Sequence, residues 1–224
     1  MCNTLNIKAL ELYCNIKKWN IELDTLMNNY RDMDSLFEEV FRKLISPDFG
    51  KNLGGELPLF IQPIPNQGQT ELNSQAQRLV NRLAKKGKTA MTIDLYELCI
   101  TLLNEEGVLE TMLEEEQNLE QEDIVSTIDS ILDIKTVVIP RISEMISEQN
   151  PDYAFITGVG RVYPFIRSHG ILNNLDELAK QNNLILFFPG EYNNLQLSLF
   201  GAISDENYYR GHNLDEIKVA IDQI

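Results

Sequence analysis

Two stretches decide the fold: Asp152-Tyr153-Ala154-Phe155-Ile156-Thr157-Gly158-Val159-Gly160-Arg161 and Asn183-Leu184-Ile185-Leu186-Phe187-Phe188-Pro189-Gly190-Glu191-Tyr192. Each is a short apolar run that closes on a glycine turn. Runs of this length, bounded by turn residues, fit strands covered on both faces, as in a parallel sheet. The glycines then fall at the carboxyl ends of the strands, where open α/β sheets place a ligand or a partner.

Upstream, Leu57-Pro58-Leu59-Phe60-Ile61 reads as the first buried strand and Ala90 to Ile93 as the second. A helix precedes the first strand. Ser35 and Glu38 have capping-box spacing, Leu36, Phe37, Val40, Phe41, Leu44 and Ile45 make its apolar face, and Ser46-Pro47 stops it. Between the two strands, Ala76, Leu79, Val80, Leu83 and Ala84 mark an amphipathic helix closed by Gly87. Asp94 can cap a helix whose stripe is Leu95, Leu98, Cys99, Leu102 and Leu103. Three helical segments fill 107–148, with Pro140 starting or kinking the last. A helix near 160–181 separates the two runs quoted first. In the tail, Asn207-Tyr208-Tyr209-Arg210 suggests an edge strand and Leu214 to Ile224 a helix. Strand–helix alternation predicts an α/β domain: a mainly parallel sheet of about 4–5 strands flanked by helices, Rossmann-like or degenerate P-loop-like. That domain spans 34–224, with a helical insertion at about 104–150. Residues 1–33 read as an N-terminal helical extension, in which Trp19 is a core residue or a partner anchor.

The chain has 224 residues and a formal net charge of −15, a balance that repels phosphate backbones and acidic membranes. No strong nucleic-acid binding is therefore expected. The longest apolar run, Leu184 to Phe188, is far below the ~20 residues a bilayer span needs, and no signal peptide is evident. Three cysteines, Cys2, Cys14 and Cys99, lack CxxC spacing, which suits a reducing cytoplasm and not a disulfide framework.

Candidate chemistry is sparse. Gly87-Lys88-Thr89 fails as a P-loop, because Arg82 holds the leading-glycine position and the order is helix then strand. Gln67-Gly68-Gln69-Thr70 lies between strand and helix but has no lysine for a phosphate, so a plain loop is favoured. Gly158 and Gly160 form a GxG without a third glycine, and ask for positive φ or a close approach. Neither His169 nor His212 has ligand-spaced partners. Ser168 beside His169 does not make a nucleophile–base pair, so His169 reads as structural. Arg161 and Arg167 suit a carboxylate or a phosphate, or an internal salt bridge, for instance to Glu191. The bases Arg78, Arg82, Lys85, Lys86 and Lys88 read first as a helix C-terminus and second as a nucleic-acid patch. The acids from Glu105 to Asp123 read as a solvated face. No catalytic, cofactor or metal residue is assigned.

One resemblance is specific. Leu44-Ile45-Ser46-Pro47-Asp48-Phe49, Ile93-Asp94-Leu95-Tyr96, Thr157-Gly158-Val159-Gly160, Tyr163-Pro164-Phe165-Ile166-Arg167-Ser168-His169, Leu172-Asn173-Asn174-Leu175, Phe187-Phe188-Pro189-Gly190-Glu191-Tyr192 and Asn207-Tyr208-Tyr209-Arg210 resemble the BrxB family of BREX bacteriophage-exclusion systems. The likeness runs from about Ser35 to Arg210. It implies a role in phage defence beside PglZ, an alkaline-phosphatase-like protein, a DNA adenine methyltransferase and an ATPase. It carries over no catalytic residue. Together with the residue reading it leads to the expectation of a cytoplasmic, non-catalytic adaptor that binds the PglZ-type protein. The candidate partner-binding surface is Gly158, Gly160, Arg161, Tyr163, Pro164, Arg167, Ser168, His169, Asn173, Asn174, Pro189, Gly190, Glu191 and Tyr192. The alternative is a nucleotide-sensing or nucleic-acid-processing domain, with Arg161 or Arg167 on phosphate.

Overall fold

The computed structural model describes residues 32–51, 53, 56–115, 121–163, 166, 168–179, 182–193, 196–204, 209 and 211–219. The expected helical extension over 1–33 lies outside them except for its last two residues. The strands are β1 (Leu59–Ile64), β2 (Ala90–Asp94), β3 (Tyr153–Thr157), β4 (Asn183–Asn193), β5 (Gln196–Leu199), β6 (Ile203–Ser204) and β7 (His212–Asn213). The main sheet is parallel with order β2-β3-β4-β1-β7. β5 and β6 add an antiparallel hairpin to the far half of β4. The α/β class is therefore as predicted. The order is not the Rossmann 3-2-1-4-5-6, because β1 sits beside β4 and not beside β2.

Alternation along the strands sends side chains to two separate cores. Phe60, Tyr153, Phe155, Ile185 and Phe187 face α1 (Met33–Ile45) and α2 (Gln69–Ala84). The Phe37 ring of α1 stacks on Phe187 with centroids 5.0 Å apart. Leu59, Ile61, Met91, Ile93, Ala154, Ile156, Leu184, Leu186 and Phe188 face the opposite layer. That layer contains α3 (Leu95–Glu105), α4 (Val108–Glu115), α5 (Gln121–Ile131), α6 (Ile139–Gln149), the four-residue α7 (Val159–Val162) and α8 (Ser168–Leu178). Burying one such side chain contributes about 1.5–3 kcal/mol, so both faces are needed to hold a sheet this apolar.

Local chemistry sets the boundaries. Asp94 caps α3, accepting from the amides of Tyr96 and Glu97. Gly87 turns at φ +73° after α2, and Ser46 leaves the helical region before Pro47. Pro140 lies in the first turn of α6, which follows a π-turn at Ile134–Val138.

Several boundaries depart from the sequence reading. The N-cap of α1 is Asp32, not Ser35: its carboxylate accepts from the Ser35 amide at 3.0 Å. The expected helix near 160–181 is broken into α7 and α8. β1 runs on through Pro63, and the geometry explains how. Leu184 N donates to Pro58 O, so even positions of β1 bond β4 and Pro63 points its missing donor toward β7. β7 ends opposite Ile61, so no ladder bond is lost. The second quoted run does not end at its glycine either: β4 passes through Pro189-Gly190 and continues to Asn193 against β5. In the tail, Tyr209 is not in a strand and the edge is formed by His212–Asn213. Leu214–Glu216 is a single 3-10 turn, and residues 207, 208, 210 and 220–224 of those expectations lie outside the described residues. Among the described residues no helix is long and apolar enough to cross a membrane.

Candidate functional site

The carboxyl ends of β1, β2, β3 and β4 meet where the sequence placed its functional surface, and the joint is built around Asp94. This aspartate closes β2 and opens α3, so its side chain sits in the crevice with only 10% of its side-chain surface exposed. Its Oδ1 accepts from Tyr96 N at 2.9 Å and Glu97 N at 3.3 Å. Its Oδ2 accepts from Asn73 Nδ2 of α2 at 2.6 Å and Arg161 Nη1 at 2.8 Å. A carboxylate offers about four acceptor positions, and all are used. Thr157, fully buried at the end of β3, donates its hydroxyl to Asn73 Oδ1 at 3.2 Å and continues the network.

The GxG turn is shaped to this joint. Gly158 has φ +81°, and a Cβ there would lie 2.4 Å from Asp94 Oδ1 and 3.0 Å from Tyr96 N. Gly160 is required by close approach: a Cβ would meet Gln69 Oε1, Phe200 Cε1 and Pro189 Cγ, all within 2.9 Å. The space left among Gln69, Asn73, Gly160 and Pro189 is about 10 Å³, room for at most one water. Arg161 is an internal ion pair, but not with Glu191. Its second guanidinium nitrogen reaches Glu97 at 2.9 Å, and its planar group lies 4.1 Å from the Tyr96 ring centroid. Asp94 and Asn73 were missed as site residues. Only the cap role of Asp94 was legible, because both partners come from elements distant in sequence.

The other expected residues divide. Glu191 and Asn173 are exposed. Asn174 donates Nδ2 to the Gly170 carbonyl at 2.6 Å, within its own helix. Tyr163 is half-buried against the core. Pro189 is buried, and Gly190 sits where a Cβ would lie 2.1 Å from the Ser198 carbonyl of β5. Tyr192 is 4% exposed and cannot present itself to a partner; its hydroxyl lies 2.7 Å from the carbonyls of Tyr209 and Gly211 and donates between them. Ser168 and His169 open α8. Pro164 and Arg167 lie outside the described residues.

The remaining motifs resolve into structure. Gly68 packs under the Met33 sulfur, where a Cβ would sit at 2.4 Å, so α1 sets the shape of the Gln67–Thr70 loop. Arg78 bonds Asp34 at 2.5 Å and Arg82 bonds Glu38 at 2.6 Å, pinning α2 to α1 and holding both carboxyls below their usual range. Gln75, donating to Asp34, is the larger influence on that residue. Cys99 is a buried small hydrophobe whose thiol is pushed up to about 12 by burial and by the nearby Asp94 charge. Glu105, which opens the acidic run, pairs with Arg141 of α6.

The family described as BREX protein BrxB matches residues 91–214, from β2 to the 3-10 turn after β7. The BREX protein BrxB of Bacillus cereus (strain H3081.97) is 33% identical over 192 residues, covering 82% of this chain and 98% of that protein. The BREX protein BrxB of Escherichia coli O9:H4 (strain HS) is 26% identical over 161 residues, 72% of this chain and 80% of that protein. No solved structure matches the chain. The chain belongs to the BrxB family, and its role lies in BREX phage defence.

Proposed function

We propose that this protein is a non-catalytic adaptor of the BREX assembly and that its partner is the PglZ-type protein of the same system. One observation carries the reading. The strand-end crevice, where an open α/β sheet holds a ligand, is closed by the chain's own side chains. The acceptor positions of Asp94 are taken by four donors, and Arg161 is shared between Asp94 and Glu97. A ligand pocket is on the order of 300–1,000 Å³, against the roughly single-water space found here. The same packing weighs against the nucleotide-sensing reading, since both terminal nitrogens of Arg161 already bond carboxylates of the chain itself.

What this edge offers is a rigid outer surface. Glu191 of β4 and Asn173 of α8 are exposed, and the strand-end backbone is held by Gly158, Gly160 and the β4–β5 pairing. Such a surface recognises a protein by shape and a few polar contacts. A soluble cytoplasmic setting goes with this proposal. Size-exclusion chromatography of the purified chain with the PglZ-type protein of its own BREX locus tests it. At ~10 µM each, a single earlier peak containing both chains is expected; two independent peaks would overturn the adaptor assignment.

A further inference from the structure

We propose that Phe200 is the positioning residue of the strand-end edge: held in a strained backbone conformation, it fixes the Gly158–Gly160 turn against the Pro189-Gly190 stretch. What docks on that edge is the partner of the adaptor reading, on which the functional side of this role rests. Among the described residues two that are not glycine have positive φ, Asn150 at +43° and Phe200 at +58°. Asn150 caps the end of α6, a position that asparagine tolerates. A bulky side chain in this region persists only where its surroundings over-determine it, and such residues gather at functional positions. Gly201 follows at φ +69°, and the Ala202 amide donates back to Leu199 O at 3.1 Å. A hairpin turn with two successive positive-φ residues favours Asn-Gly. The backbone alone therefore asks for asparagine at 200, and what phenylalanine adds is its ring.

The surroundings account for the strain. The Phe200 amide donates to Pro189 O at 2.9 Å, and its carbonyl accepts from Asn66 Nδ2 at 3.0 Å. These bonds tie the turn to β4 and to the 3-10 turn after β1 (Asn66–Gly68). The half-buried ring carries the link on to α7: a Cβ on Gly160 would lie 2.9 Å from Phe200 Cε1 and 2.9 Å from Pro189 Cγ. Gly160 itself has no positive φ, so its missing side chain serves this packing and not a turn. A strained aromatic on one side and a glycine without conformational need on the other make a matched pair. Phe200 thus touches both Gly160 and Pro189, which come from different elements and belong to the surface expected to bind a partner.

Hydrogen exchange of the full chain, as parent, Phe200→Asn and Phe200→Tyr, tests this. Asparagine suits the turn and removes the ring; tyrosine keeps the ring. Peptides covering 158–163 and 189–193 of Phe200→Asn should exchange at least about tenfold faster than in the parent. Peptides of α1 should be unchanged, and Phe200→Tyr should match the parent throughout. Titration with the PglZ-type protein should find Phe200→Asn at least about tenfold weaker and Phe200→Tyr unaltered. If Phe200→Asn does not fold, Phe200→Leu, apolar but without the ring, replaces it under the same expectations. Unchanged exchange at 158–163, or an equal rise in the α1 peptides, overturns the proposal. Faster exchange confined to the two segments, in a chain whose parent form binds no PglZ-type protein, upholds the positioning role and overturns the adaptor reading.

Discussion

At the residue scale, the GxG turn shows how one motif serves two steric demands. Gly158 and Gly87 have nearly the same backbone, at φ +81° and +73°, but only Gly158 has a neighbour where a Cβ would go. Gly87→Ala should cost about 1–2 kcal/mol, the left-handed penalty alone. Gly158→Ala should cost clearly more, because its methyl displaces the Asp94 carboxylate from the α3 amides. Urea unfolding of the two variants measures the difference, and equal losses would mean that the Asp94 joint tolerates expansion. Tyr192 makes the opposite point. It belongs to the motif expected to face a partner, yet it is buried under the 209–211 segment. Tyr192→Ala should therefore lower stability by about 3–5 kcal/mol, read as a large drop in urea midpoint, before any question of partner binding arises. A variant as stable as the parent would place this side chain at the surface after all.

At the element scale, tyrosine hydroxyls tie strands to distant segments. Tyr153 of β3 donates to the Leu44 carbonyl at the end of α1 at 2.7 Å. Burial pushes both Tyr153 and Tyr192 up to about 12. An unfolded tyrosine ionises near 10. The folded chain therefore holds these protons more tightly, and their contribution is complete below pH 10 and is lost as pH rises toward 12. The thermal midpoint followed by circular dichroism should hold steady up to about pH 10 and fall between 10 and 12; a flat profile to pH 12 would show that these hydroxyls are not buried.

Most elements were legible because their signals are local. The apolar runs of β3 and β4, the Asp94 cap, the Gly87 terminator and the α1 stripe all depend on neighbours a few residues away. What could not be read depended on distance. Glu38 looked like the far half of a capping box with Ser35, but it faces Arg82, and Asp32 caps the helix. Pro189-Gly190 has the composition of a turn, but β5 supplies an antiparallel partner that carries the strand through it. Arg161 could be read as a paired arginine; its partners across the β2–α3 joint could not.

At the scale of the whole molecule, the account joins a family to a surface. Membership of BrxB sets the chain in BREX defence, and the adaptor role proposed for it rests on the internally closed crevice. Hydrogen-exchange mass spectrometry of the chain alone and mixed with the PglZ-type protein tests this claim most directly. The account predicts added protection in peptides covering 158–163, 173–174 and 190–193. A complex that forms while those peptides exchange unchanged would contradict it.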